Sequence, residues 1–228
     1  MVFENATGLT QSLQLHLEGI LPRGAIFSVS WRGVGEAANA ELLTSLPQDQ
    51  VQRFRAMRDP VRRLEWVAGQ RCRGEALEAL SEQGWPPEEV SLSVAHGGGL
   101  ALALAVVRPG MKGWGVGVDV ESAQRVVQPK VMRRLLDDRE LGLQVPGLSA
   151  WCLKEAVWKA GDRSPGRVLT DYRLVDWDFD SGRARLTCEI AGIPDSLREF
   201  QAVTWEAEGF RLAVASSRGA ARSVRVKK

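Results

Sequence analysis

Gly117-Val118-Asp119-Val120-Glu121 and Trp151-Cys152-Leu153-Lys154-Glu155-Ala156-Val157-Trp158-Lys159 hold the residues best suited to chemistry. In the first, β-branched residues alternate with acids, which predicts a strand. A period of two turns Val118 and Val120 one way and Asp119 and Glu121 the other. The second segment reads as a helix with two stripes. Leu153, Ala156, Val157 and Ala160 form an apolar one, and Trp151, Lys154, Glu155, Trp158 and Lys159 form a second. A helix that only packs a core has no need of two lysines and a glutamate between two tryptophans. Laid against the strand, it would bring three carboxylates and two ammonium groups together. Hard oxygen ligands of this kind suit Mg²⁺ holding a substrate phosphate, with the lysines as phosphate partners.

Each segment also has a plainer reading. An acidic pair on a strand is commonly the solvated face of an antiparallel sheet, and Glu155 and Lys159 stand at i, i+4 in the order favoured for a surface ion pair. The elements around them predict an α+β chain. Strands are expected near Ala25–Trp31, Val90–Ala95, Leu100–Val107, Tyr172–Asp178, Ala184–Glu189, Ala202–Glu206 and Phe210–Ser216. Helices are expected near Ala37–Leu46, Gln48–Met57, Arg62–Leu80, Lys130–Leu136 and Leu148–Ala160. Ser93–Val106 and Val203–Ser216 echo each other as strand, Gly-containing turn, strand. The echo divides the chain into two related α+β halves, 1–112 and 113–228, with a boundary near Lys112.

Together, the strand and helix resemble the 4′-phosphopantetheinyl transferases of the larger single-chain type, as in surfactin- and enterobactin-synthetase activation. That family has a G-(I/V)-D-(I/V)-E strand followed by a W-x-x-K-E-a-x-x-K helix, both complete here. Arg133–Leu141 is similar to the intervening helix with its Glu-Leu. Arg62-Arg63-Leu64-Glu65-Trp66-Val67-Ala68-Gly69-Gln70 resembles the R-R-x-E-(F/W)-x-A-G-R helix, and Ser93-Val94-Ala95-His96 the S-(I/L)-S-H segment. The resemblance spans about residues 50–160.

It implies a pseudo-two-fold monomer with the active site between its halves. The implied activity moves the 4′-phosphopantetheine arm of coenzyme A, the co-substrate, to a serine of an apo-acyl or peptidyl carrier protein. By position, Asp119, Glu121 and Glu155 would hold Mg²⁺, or Mn²⁺ in its place. Glu155 would take the serine proton, directly or through metal-bound water. Lys159 would stabilise charge on the pyrophosphate and could protonate the leaving group. Lys154 would be a second phosphate contact, and His96 would bind the 3′-phosphate of coenzyme A. The chain departs from the pattern at Gln70, where the family has arginine, with Arg71 or Arg73 as substitutes. Ala95 replaces a serine, and Ser81–Glu89 has no basic residue where the family has a G-(K/R)-P…P segment. These departures leave a second reading open, a catalytically weakened member that binds coenzyme A or a carrier protein without efficient transfer. Trp66 and Trp85 are candidate stacking platforms for adenine.

Composition narrows the field. A net charge of +2 argues against a nucleic-acid protein, and acids interrupt the basic stretch Arg125–Arg139. Three scattered cysteines, Cys72, Cys152 and Cys188, show no C-x-x-C spacing, which points away from a zinc site or disulfide frame and toward a reducing cytoplasm. No basic region precedes an apolar stretch at the N-terminus, so no leader is expected. The longest apolar run, Leu100–Val107, is too short to span a bilayer.

Overall fold

The computed structural model describes residues 6–34, 46–109, 114–161, 166–188, 190 and 198–217. The expected helix at Ala37–Leu46, the boundary at Lys112 and the basic tail lie largely or wholly outside them. The chain is a mixed α+β protein with two antiparallel sheets.

The first sheet consists of β1 (Ile26–Gly33), β2 (Val90–Gly97) and β3 (Leu100–Val107), in the order β1-β3-β2. Between β1 and β2 come α2 (Gln48–Ala56) and α3 (Pro60–Ser81), after the N-terminal α1 (Ala6–Ile20). Asp59 starts α3 by accepting the Val61 and Arg62 amides, with Pro60 in the first turn. The second sheet contains β4 (Val116–Ser122), β5 (Tyr172–Trp177), β6 (Arg183–Cys188), β7 (Glu199–Ala207) and β8 (Phe210–Ser217), in the order β4-β8-β7-β6-β5. Helices α4 (Pro129–Leu135), α5 (Asp138–Gly142) and α6 (Gly147–Ala160) lie between β4 and β5 in sequence.

Side-chain size decides which face of each strand meets which layer. On β3, Ala101, Ala103 and Ala105 meet α3, while Leu100, Leu102, Leu104 and Val106 enter the core between the sheets. On β8, Ala213 and Ala215 meet α6, while Leu212 and Val214 enter that same inter-sheet core. Small residues let a helix approach, and large ones fill the space between two sheets. The two echoed hairpins are therefore built alike. Gly97 pairs with Leu100 and Ala207 with Phe210. Both two-residue turns have positive φ throughout: Gly98 (63°) and Gly99 (89°), then Glu208 (50°) and Gly209 (78°).

The N-terminal helix α1 was not anticipated. It buries Leu9, Leu13, Leu17 and Ile20 in the inter-sheet core. That stripe recurs at i, i+4, i+8 and i+11, so the signal was present among polar neighbours. No helix among the described residues is long and apolar enough to cross a membrane.

Candidate active site

Strand β4 sits where the sheets meet. Val116, Val118 and Val120 enter the inter-sheet core, and the opposite face, bearing Gly117 and Asp119, lies under α6. Asp119 is only 5% exposed, so the solvated-face reading of the acidic pair does not hold. Gly117 is what brings the helix so near. A Cβ there would overlap the Ala156 carbonyl oxygen, and one at Gly115 would overlap that of Ala160.

This close approach aligns α6 with the acids. Lys159 Nζ donates to Asp119 Oδ1 (2.8 Å) and to the Val118 carbonyl oxygen (3.1 Å). Asp119 Oδ2 is buried without a hydrogen-bond partner. Burial pushes the Glu155 carboxyl above its ordinary value; the Asp119 charge adds to this while Lys159 and Arg125 oppose it. Arg125 forms an ion pair with Glu121 and lies 4.7 Å from the centre of the Trp151 ring.

The first sheet contributes the other wall. Its strand β2 runs beside β4, and Ser91 and Ser93 accept the Val116 and Val118 amides on their hydroxyls, both at 3.1 Å. These hydroxyls satisfy the edge of β4 that β8 leaves free. Further along, Gly97 abuts the Val120 carbonyl and the Glu121 carboxylate. His96, beside it, has Nδ1 3.3 Å from Glu65 Oε2 of α3. Burial, Lys159 and Arg62 hold His96 below its usual pKa against the pull of Glu65. Acids of β4 and α6, Lys159 of α6 and His96 of β2 thus share one electrostatic neighbourhood. No protein-family model matches the chain, and no curated protein matches it.

One expected role is corrected, and the two candidate arginines are told apart. Lys154 is not a phosphate contact: it is 1% exposed, with Nζ donating to Glu140 Oε1 (2.6 Å) and the Leu135 carbonyl (2.9 Å). Burial lowers its pKa while Glu140 opposes the shift. Glu140 also accepts the Asp137 and Leu174 amides, so the pair ties α4, α5, α6 and β5 together. Arg71 is likewise drawn away from His96. It lies 3.6 Å from Glu75, which also binds Ser30 and Arg32 of β1. Strands β1 and β2 are the opposite edges of their sheet, about 10 Å apart. Cys72 Sγ points at the central strand, 3.6 Å from the Ala101 carbonyl. Arg71 and Arg73 stand about 100° to either side of it on the helix. With Arg71 toward β1, Arg73 stands on the β2 side of α3, about two turns beyond Glu65, and the arginine whose charge acts on His96 is Arg62.

Neither tryptophan is an open platform. Trp66 is 6% exposed beside Phe54, and Trp85 packs against that same core. All three cysteines are buried and free. Sequence reading assigned no role to Glu65, Arg125, Glu140 or the two serines. Of these, Glu65, Ser93 and Glu140 stood within quoted motifs, whereas nothing in the pattern marked Arg125 as the partner of Glu121.

The fit to a divalent cation follows from the donors. Among the described residues, no three His, Cys, Asp or Glu side chains form a metal-binding group as they stand. Asp119 and Glu155 nevertheless have the right chemistry: one oxygen is orphaned, and one carboxyl is pushed up partly by its neighbour's charge. A hard cation would relieve both. Glu121 could join them on releasing Arg125.

Proposed function

We propose that the protein transfers the 4′-phosphopantetheine arm of coenzyme A to a serine of an apo-carrier protein, releasing adenosine 3′,5′-bisphosphate. On this reading the alike hairpins belong to two related halves, with the site between them. The observation that carries it is the Lys159–Asp119 pair beside Glu155, with His96 across the junction. Asp119, Glu155 and Glu121 are the residues that would hold Mg²⁺, which when bound supplies charge neutralisation for the pyrophosphate.

The side chains account for the rest. Glu155, its carboxyl raised by burial, is the better base for it and takes the serine hydroxyl proton. The serine oxygen forms a bond to the β-phosphorus as the bond to the bridging oxygen breaks. Lys159, fixed by Asp119 and the Val118 carbonyl, faces the negative charge left on the departing phosphate. His96 of β2 and Arg73 of α3 orient the nucleotide end.

One observation favours the reading of binding without efficient transfer: Arg125 already claims Glu121. A panel of apo-carrier proteins incubated with the protein, coenzyme A and Mg²⁺ separates the two by mass spectrometry. Gain of one phosphopantetheine mass, dependent on the metal, is the expected result. If a known transferase modifies the panel and this protein does not, the binding reading takes its place.

A further inference from the structure

We propose that Glu65 is a positioning residue for His96, holding the ring so that Nε2 is the nitrogen offered to an anionic ligand between the sheets. The ligand half of this proposal rests on the coenzyme A reading of the site.

The Glu65 side chain is only 17% exposed and meets His96 through Nδ1, 3.3 Å away. A carboxylate accepts but does not donate, so the pairing needs a hydrogen on Nδ1. In the neutral ring Nε2 then carries a lone pair, which faces a phosphate oxygen unfavourably. It becomes a donor only when the ring takes a second proton. Every packed element bears on that step: Glu65 and Arg62 from α3, Lys159 from α6, and from β4 the Glu121 carboxylate, which touches neighbouring Gly97. Gly69, one turn past Glu65, lets α3 lie close enough for the pairing. An added Cβ there would stand 3.2 Å from Val94 Cγ1 and 3.8 Å from His96 Cδ2. A phosphate monoester offsets the Lys159 and Arg62 charges, so the ring takes up its proton as the ligand binds.

Only two histidines occur in the chain, so the His16→Gln variant leaves one imidazole to observe. Long-range proton–nitrogen NMR on that protein without ligand is expected to show His96 as the Nδ1–H tautomer when neutral. Adding Glu65→Gln keeps the tautomer, because the amide oxygen still accepts, but lowers the titration midpoint. Adding Glu65→Leu loses the preference. An Nε2–H tautomer with Glu65 intact overturns the proposal. Calorimetry with coenzyme A and 3′-dephospho-coenzyme A then reads the ligand half. The preference for coenzyme A should fade as pH rises through the His96 titration, and Glu65→Gln should reduce it about tenfold. An unchanged preference and midpoint in Glu65→Gln would leave Glu65 no positioning role. Equal binding of both ligands by the otherwise unaltered protein, with the tautomer as expected, removes the coenzyme reading and the ligand half while the pairing itself stands.

Discussion

Helix α3 rests on alanines of β3, whereas α6 rests on alanines of β8 and on bare glycine backbone of β4. The contact through β3 leaves flanks where polar groups accumulate: Arg71 and Glu75 along β1, Glu65 along β2. The contact through the β4 glycines aligns Lys159 with Asp119. Closeness of approach thus separates a helix with polar groups on its flanks from one whose lysine is fixed against a strand carboxylate.

The largest expected effect probes the tight side. Lys154→Met leaves Glu140 buried without its cation, which should reduce stability by about 3–5 kcal/mol in denaturant unfolding. A loss below about 1 kcal/mol would show that the pair does not hold α6 to α5.

Next in size is chemistry. Asp119→Ala or Glu155→Ala should lower kcat by at least about two orders of magnitude while the fold, followed by circular dichroism, is kept. Near-normal turnover in either variant removes that residue from the site. Without metal, the Glu155 carboxyl should titrate above the ordinary glutamate range, followed by carboxyl NMR, and added Mg²⁺ should pull it down. A Glu155 titration that Mg²⁺ does not move would remove Glu155 from the cation site.

Two glycines sharpen the contrast between the helices. Gly117→Ala drives a methyl into the Ala156 carbonyl and should destabilise by about 1–3 kcal/mol. Gly74→Ala on α3 meets no atom within 4 Å and lies in helical backbone, so it should stabilise by about 0.5–1 kcal/mol. Thermal unfolding of the two variants reads both signs, and a neutral Gly117→Ala would deny the tight contact its role.

The smallest effect concerns the arginines. Arg73→Ala should weaken coenzyme A binding about tenfold, the scale of one charge-assisted bond. Arg71→Ala should leave that affinity unchanged and alter stability by under about 1 kcal/mol, since its ion pair is a third exposed. Calorimetry showing the reverse order would exchange their places.

Strands were the legible part of this molecule. Leu-Ala-Leu-Ala in β3 and Val-Asp-Val in β4 alternate in size or polarity, and a period of two assigns each residue its face without reference to anything else. Helix α5 was not resolved as an element because five residues hold too few turns for a periodic signal. Lys154 shows where helical spacing stops informing. It borders both stripes of α6, and a buried acid on α5, distant in any wheel of α6 alone, decides its direction. Asp119 was readable as a candidate, but the depth of its burial depends on the glycines beneath α6, whose purpose emerges only in three dimensions.

The hydroxyls of Ser91 and Ser93 have a dynamic consequence. They satisfy the free edge of β4 through side-chain rotation, so the two sheets meet without sharing a continuous backbone ladder. A side-chain acceptor is released by turning one bond, whereas a strand ladder opens as a cooperative unit. The Val116 and Val118 amides should accordingly exchange with deuterium sooner than those facing β8, and the junction would act as a compliant bearing between the two sheets.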